Sequence, residues 1–128
     1  MSIWDWFIRQ SANKIVQAPT IDRQKFQERW QKIESMLRVR TESSMKQALL
    51  EADKLLDLGL KEKRVKGETM GERLKSAVNL FDKNLYNEIW SAHKLRNQLV
   101  HEDSEILSFQ IENKVLVFKR ALKAINIL

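Results

Sequence analysis

The sequence predicts an all-α domain, a compact helical bundle of about five to six helices. Three observations predict it. Apolar residues recur at steps of three and four along most of the chain, the spacing of one helix face. Only three glycines and one proline occur in 128 residues, so few breaks interrupt that pattern. No stretch alternates apolar and polar residues over a strand's length. With 43% hydrophobic residues, a chain of this size has the material for one core and one domain.

Residues 1–18 read as an N-terminal amphipathic helix or arm, ahead of a bundle over residues 19–128. Trp4, Phe7, Ile8, Ser11, Ala12 and Ile15 fall on one helical face. Asp5, Arg9 and Lys14 interrupt the run well short of transmembrane length, and a leading positive region of the secretory kind is missing. Packing within the fold or a dimer is the favoured use of this face. Membrane contact through Trp4, Trp6 and Phe7 is the less favoured alternative. Ala18-Pro19-Thr20 then breaks the chain.

The next helix runs from Asp22 to about Arg38, with Phe26, Trp30, Ile33 and Leu37 in step and Glu34 placed to pair with Arg38. Thr41 or Ser43 caps a longer helix reaching about Lys63, whose broad apolar face is Met45, Ala48, Leu49, Ala52, Leu55 and Leu56. Gly59 suggests a weakened last turn before the charged KEKRVKGE connection. Thr69 and Glu72 have capping-box spacing ahead of a helix over about Met70 to Phe81. Gly67 and Gly71 do not make a phosphate loop, since the GxxxxGK[ST] pattern and a preceding strand are both missing. A helix from Asp82 or Asn84 carries Leu85, Ile89, Ala92 and Leu99, with Tyr86 and Trp90 as an i,i+4 pair and Arg96 at the border of the stripe. The last helix, from about Ser108, carries Ile111, Val115, Phe118, Leu122 and Ile125 in step, with Leu116 and Ala121 broadening the face, and should pack over the two long helices before it.

Cysteine is absent, which excludes disulfides, thiol catalysis and cysteine-based metal sites. The absence agrees with a cytoplasmic location. Two histidines are a thin basis for zinc, so no metal and no cofactor is expected. The formal net charge of +6 favours anionic partners, RNA among them, although 17 acidic residues are spread among the 23 basic ones. Lys61, Lys63, Arg64 and Lys66 form the densest basic cluster and are candidate RNA contacts, as is Lys94; a solvated charged loop is the plainer reading of the cluster.

Chemistry concentrates in HKLRNQLVHE, residues 93–102, which holds both histidines of the chain. His93, Asn97 and His101 follow one another at steps of four along one side of a helix. Arg96 and His101 are five apart, roughly 140° around an unbroken helix, and would converge better if the last turn bent. A phosphodiester near both would meet a fixed cation and a group able to move a proton near neutral pH. The plainer alternative is structural: cations near a helix C-terminus meet the negative end of the helix dipole, worth ~0.3–1 kcal/mol each.

RNQLVH within this helical frame resembles the HEPN superfamily, whose diagnostic feature is Arg, four to six residues, then His; here it is Arg96, four residues, His101, with Asn97 as the polar neighbour. The run from Glu51 to Glu102 is also similar to a group of small uncharacterised bacterial proteins with the same order of elements. The resemblance implies a helical bundle that dimerises by juxtaposing two copies of the motif. It further implies a metal-independent endoribonuclease or a non-catalytic RNA- or protein-binding module, of the kind found in toxin–antitoxin and defence systems. An antitoxin or a nucleotidyltransferase-like protein would be a fitting partner. Some active members carry an upstream acidic residue, which the sequence leaves unassigned between Glu88 and Glu102. In the catalytic version, the substrate's 2′-hydroxyl attacks its own phosphate and His101 moves the proton. Arg96 holds the phosphate, Asn97 orients it or His101, and His93 is a second proton-transfer or phosphate-contact group.

Overall fold

The structure is a computed structural model and describes residues 21–101, the last by its backbone alone, and residues 108–128. Five α-helices follow in order: α1 (Arg23–Val39), α2 (Glu42–Glu62), α3 (Met70–Ser76), α4 (Lys83–His101) and α5 (Ser108–Ala124), with a 3₁₀ turn over Val78–Leu80 between α3 and α4. No strand occurs among the described residues. The expected helix or arm over residues 1–18 lies outside them.

α2 is the axis of the bundle. It packs against α1, α4 and α5, and α5 in turn packs along α4. The apolar stripe read from the sequence is why: Met45, Ala48, Leu49, Ala52, Leu55 and Leu56 are all removed from solvent, and Leu60 joins them. From the other helices Phe26, Trp30 and Ile33, Leu74, Ile89 and Ala92, and Ile111, Val115, Phe118 and Leu122 complete one core. Among the described residues, no helix is long and apolar enough to cross a membrane.

Local chemistry sets the helix ends. Asp22 caps α1 by accepting from Lys25 N, and Thr41 caps α2 by accepting from Ser44 N. Thr69 Oγ1 accepts from Glu72 N at 3.1 Å, but the Glu72 carboxylate reaches back to Glu68 N at 2.7 Å, one residue earlier than a capping box requires. α2 and α5 both end in a Schellman turn around a left-handed residue. Arg64 (φ 59) and Asn126 (φ 60) occupy the turn position. Val65 N bonds to Leu60 O at 3.0 Å, and Ile127 N to Leu122 O at 2.9 Å.

Three local expectations change. The helix expected to run to Phe81 stops at Ser76, and a 3₁₀ turn carries the chain on to α4. Gly59, expected as a weak last turn, gains a packing role as well. A Cβ there would meet Leu122 Cδ2 at 3.2 Å and Ile127 Cγ1 at 3.3 Å, so the missing side chain lets the C-terminal turn settle on α2. Glu34 binds Trp30 Nε1 (2.7 Å) and Lys119 Nζ (2.9 Å), while Arg38 donates to Ser35 Oγ, so the expected Glu34–Arg38 pair is replaced by a tie from α1 to α5.

Candidate functional site

α4 is helical from Lys83 to His101 without a break. The bend that would swing Arg96 and His101 together does not form, and their positions stay roughly 140° apart around the axis. His93, Arg96 and Asn97 instead turn toward α2, where they meet a carboxylate that the motif did not predict.

That carboxylate is Asp53, 3% exposed in the middle of α2. Its Oδ1 lies 2.8 Å from His93 Nδ1, and its Oδ2 lies 3.5 Å from Arg96 Nε. Arg96 Nη1 donates to Asn97 Oδ1 at 3.0 Å, and Asn97 Nδ2 lies 3.5 Å from His93 Nε2. The four side chains close a circuit. One tautomer satisfies it throughout: Nδ1–H of His93 donates to Asp53, and Nε2 is left to accept from Asn97. A charged carboxylate this deep requires a cation or hydrogen-bond donors, and the circuit supplies both.

The members differ in access. His93 is buried, its ring edge-on to Trp90 at 6.0 Å between centroids, and both of its nitrogens are engaged. This favours a positioning role over proton transfer to a substrate. Arg96 keeps 26% of its side chain exposed. Its Nε is buried without a hydrogen bond, and Nη2 makes none among the described residues. The guanidinium is therefore anchored on one edge and free on another, which is how an arginine is held for an anion. Asn97 is half-buried. His101 ends α4, and its side chain lies outside the description.

Of the two acidic candidates, Glu88 pairs with Arg120 on α5, away from this circuit, and Glu102 lies outside the described residues. A signal for Asp53 was present in the sequence. It falls four residues after Leu49 and three before Leu56, inside the buried stripe of α2, where an unpaired charge is costly.

The expected RNA contacts do not gather in one place. Lys94 is exposed on α4. Lys61 lies 3.6 Å from Asp57. Lys63, Arg64 and Lys66 border a separate cavity with Leu80, which precedes α4, whereas Arg96 lies thirteen residues beyond the start of α4 at Lys83, roughly 20 Å along its axis.

A buried arginine escaped the sequence reading. Arg73 on α3 binds Asp57 on α2 through Nε and Nη2, the latter at 3.0 Å, and donates from Nη1 to Gly67 O. The Asp57 carboxylate holds its guanidinium above the ordinary arginine range. Gly67 adopts φ 145 and a Cβ there would stand 2.6 Å from Arg73 N, so this glycine serves the ion pair and not a phosphate. Among the described residues, no group of three or more His, Cys, Asp or Glu is placed to hold a metal ion.

No family model matches the chain, and no curated protein or solved structure is detectably similar to it.

Proposed function

We propose that the protein is a HEPN-like, metal-independent endoribonuclease acting as a homodimer, with Arg96 holding the scissile phosphate and His101 moving the proton. The observation that carries this reading is the anchored, half-open guanidinium of Arg96 beside a buried carboxylate. Asn97 holds the arginine by a hydrogen bond at Nη1 and Asp53 by a charge contact at Nε, which leaves Nη2 for an anion, so the cation needs little reorganisation when charge builds on the phosphate. The straight α4 bears on the same point. Arg96 and His101 diverge on one helix, and a second copy of the motif would supply the missing partner to each. Val100 (49% exposed) and Phe109 (60% exposed) offer apolar surface on either side of residues 102–107, next to the end of α4, for such a pairing.

The test is incubation of the purified protein with mixed RNA in EDTA. Fragments ending in cyclic phosphate and 5′-hydroxyl should form, DNA should stay intact for want of the 2′-hydroxyl, and Arg96→Ala or His101→Ala should abolish cutting with helicity unchanged. Full cleavage by the His101→Ala protein would refute the assignment. The alternative is a non-catalytic RNA- or protein-binding module. The complete engagement of His93 inside the fold favours it, and gel retardation without fragments would support it.

A further inference from the structure

We propose that the groove between α4 and α5 binds a segment of single-stranded RNA, with a base against Trp90 and phosphates at Lys94 and Lys114. The choice of polymer rests on the reading above; the groove's location and chemistry do not.

The groove encloses about 960 Å³. Four carboxamides line it, those of Asn87, Gln98, Gln110 and Asn113. Each presents a donor and an acceptor together, as the edge of an unpaired base demands. Trp90 forms the aromatic wall. Its ring is fixed by edge contacts with Tyr86 at 6.4 Å and with His93 at 6.0 Å, which leaves a pre-set surface for stacking.

Charge points the same way. Among the described residues no carboxylate lines the groove, and neither Lys94 nor Lys114 has an acidic partner. Lys114 Nζ instead donates to Ser91 Oγ across the seam at 2.9 Å, which places a full positive charge over the groove. Elsewhere on the same pair of helices Arg120 is neutralised by Glu88. Trp90 and Leu95 add an apolar part to the groove's lining. A polyanion with flat rings finds complementary groups throughout.

Register ties the groove to the proposed chemistry. Asn87, Ser91, Lys94 and Gln98 succeed one another at steps of four, three and four along α4. His101 is three residues further on the same unbroken helix, seven from Lys94, and so continues that stripe. A strand lying along the groove is directed past the His101 position. Arg96 sits on the other flank.

The experiment measures equilibrium binding of a short 5′-labelled oligouridylate to the full-length His101→Ala protein, in which the RNA should stay intact. The Lys94→Gln/Lys114→Gln pair should weaken binding about tenfold and reduce the slope of log K against log salt by about 1.4, from two phosphate contacts at about 0.7 each. Trp90→Leu should weaken binding about tenfold, and Trp90→Phe, which keeps a stacking ring and guards against misfolding, should restore most of it. Unchanged affinity and slope in the lysine pair would overturn the proposal. So would loss of binding in Lys63→Gln/Lys66→Gln in its place, or competition by polyglutamate as effective as that by RNA of equal charge. Groove-dependent binding by a protein that never cuts RNA would uphold the groove and defeat the nuclease reading. Arg96-dependent cutting by lysine variants of undiminished affinity would do the reverse.

Discussion

Asp53 and His93, forty residues apart in sequence and both buried, meet at 2.8 Å between Oδ1 and Nδ1, and this contact fixes the face of α4 that turns toward α2. Removing the charge tests it. Asp53→Asn should lower stability by on the order of 3 kcal/mol, because Arg96 would lose its compensating carboxylate and His93 Nδ1–H its charged acceptor. The urea midpoint measures this. His93→Ala should also act on stability first, so any loss of RNA cleavage should track the folded fraction; an intact fold with abolished cleavage would make His93 catalytic.

Arg73 joins α3 to α2 through the planar fork of its guanidinium. Arg73→Lys keeps the charge and loses the two-point grip on Asp57 and the bond to Gly67 O. A loss of about 2–3 kcal/mol is expected, close to that of Arg73→Met, because geometry and not charge is what lysine fails to supply. Thermal unfolding of the two variants side by side checks it.

Gly59→Ala improves helix propensity by about 0.8–1 kcal/mol, yet its methyl group must fit against Leu122 and Ile127, both sealed from solvent. Packing should win by a narrow margin. Gly59→Val should be clearly worse, destabilising by about 1–3 kcal/mol. A stabilised Gly59→Val protein would mean that the C-terminal turn is free to move off α2.

The hydrogen bond from Lys119 holds the Glu34 carboxyl below its ordinary value of 4.5; burial opposes it, and the Trp30 indole adds to the lowering. A depressed pKa contributes stability above the unfolded value, and that contribution is lost as pH falls through the folded one. The wild type should therefore exceed Glu34→Gln by less than about 1 kcal/mol at pH 7, since both partners are about a third exposed. The gap should close as the pH drops below 4.5. Urea titrations across that range decide the point.

The fold was legible because its signal is repetitive. The long helices carry apolar stripes over several turns, and those of α2 and α5 named most of their buried apolar residues, missing Leu60 and Val117 and including Leu116, which is 44% exposed. What the sequence hid was pairwise. Asp53 and Arg73 each sit inside an apolar stripe, Arg73 three residues after Met70 and four before Ala77. The pattern marks both as anomalies but cannot say that Asp53 meets α4 or that Arg73 reaches back to α2. The site was half legible for the same reason. HKLRN lies within one helix turn and a half, so periodicity groups it, while its counter-charge comes from another helix. The packing role of Gly59 was hidden because propensity sees only a weak helix former, and the contact it makes room for lies over sixty residues away at Leu122.

Arg64 adopts a left-handed backbone conformation at the turn that ends α2, without the glycine that would make it inexpensive. Stability is thus held in reserve at a surface position that touches neither the Asp53 circuit nor the α4–α5 groove. Arg64→Gly should raise the melting temperature by removing about 1 kcal/mol of steric conflict, giving a sturdier background in which damaging substitutions elsewhere can be measured on folded protein.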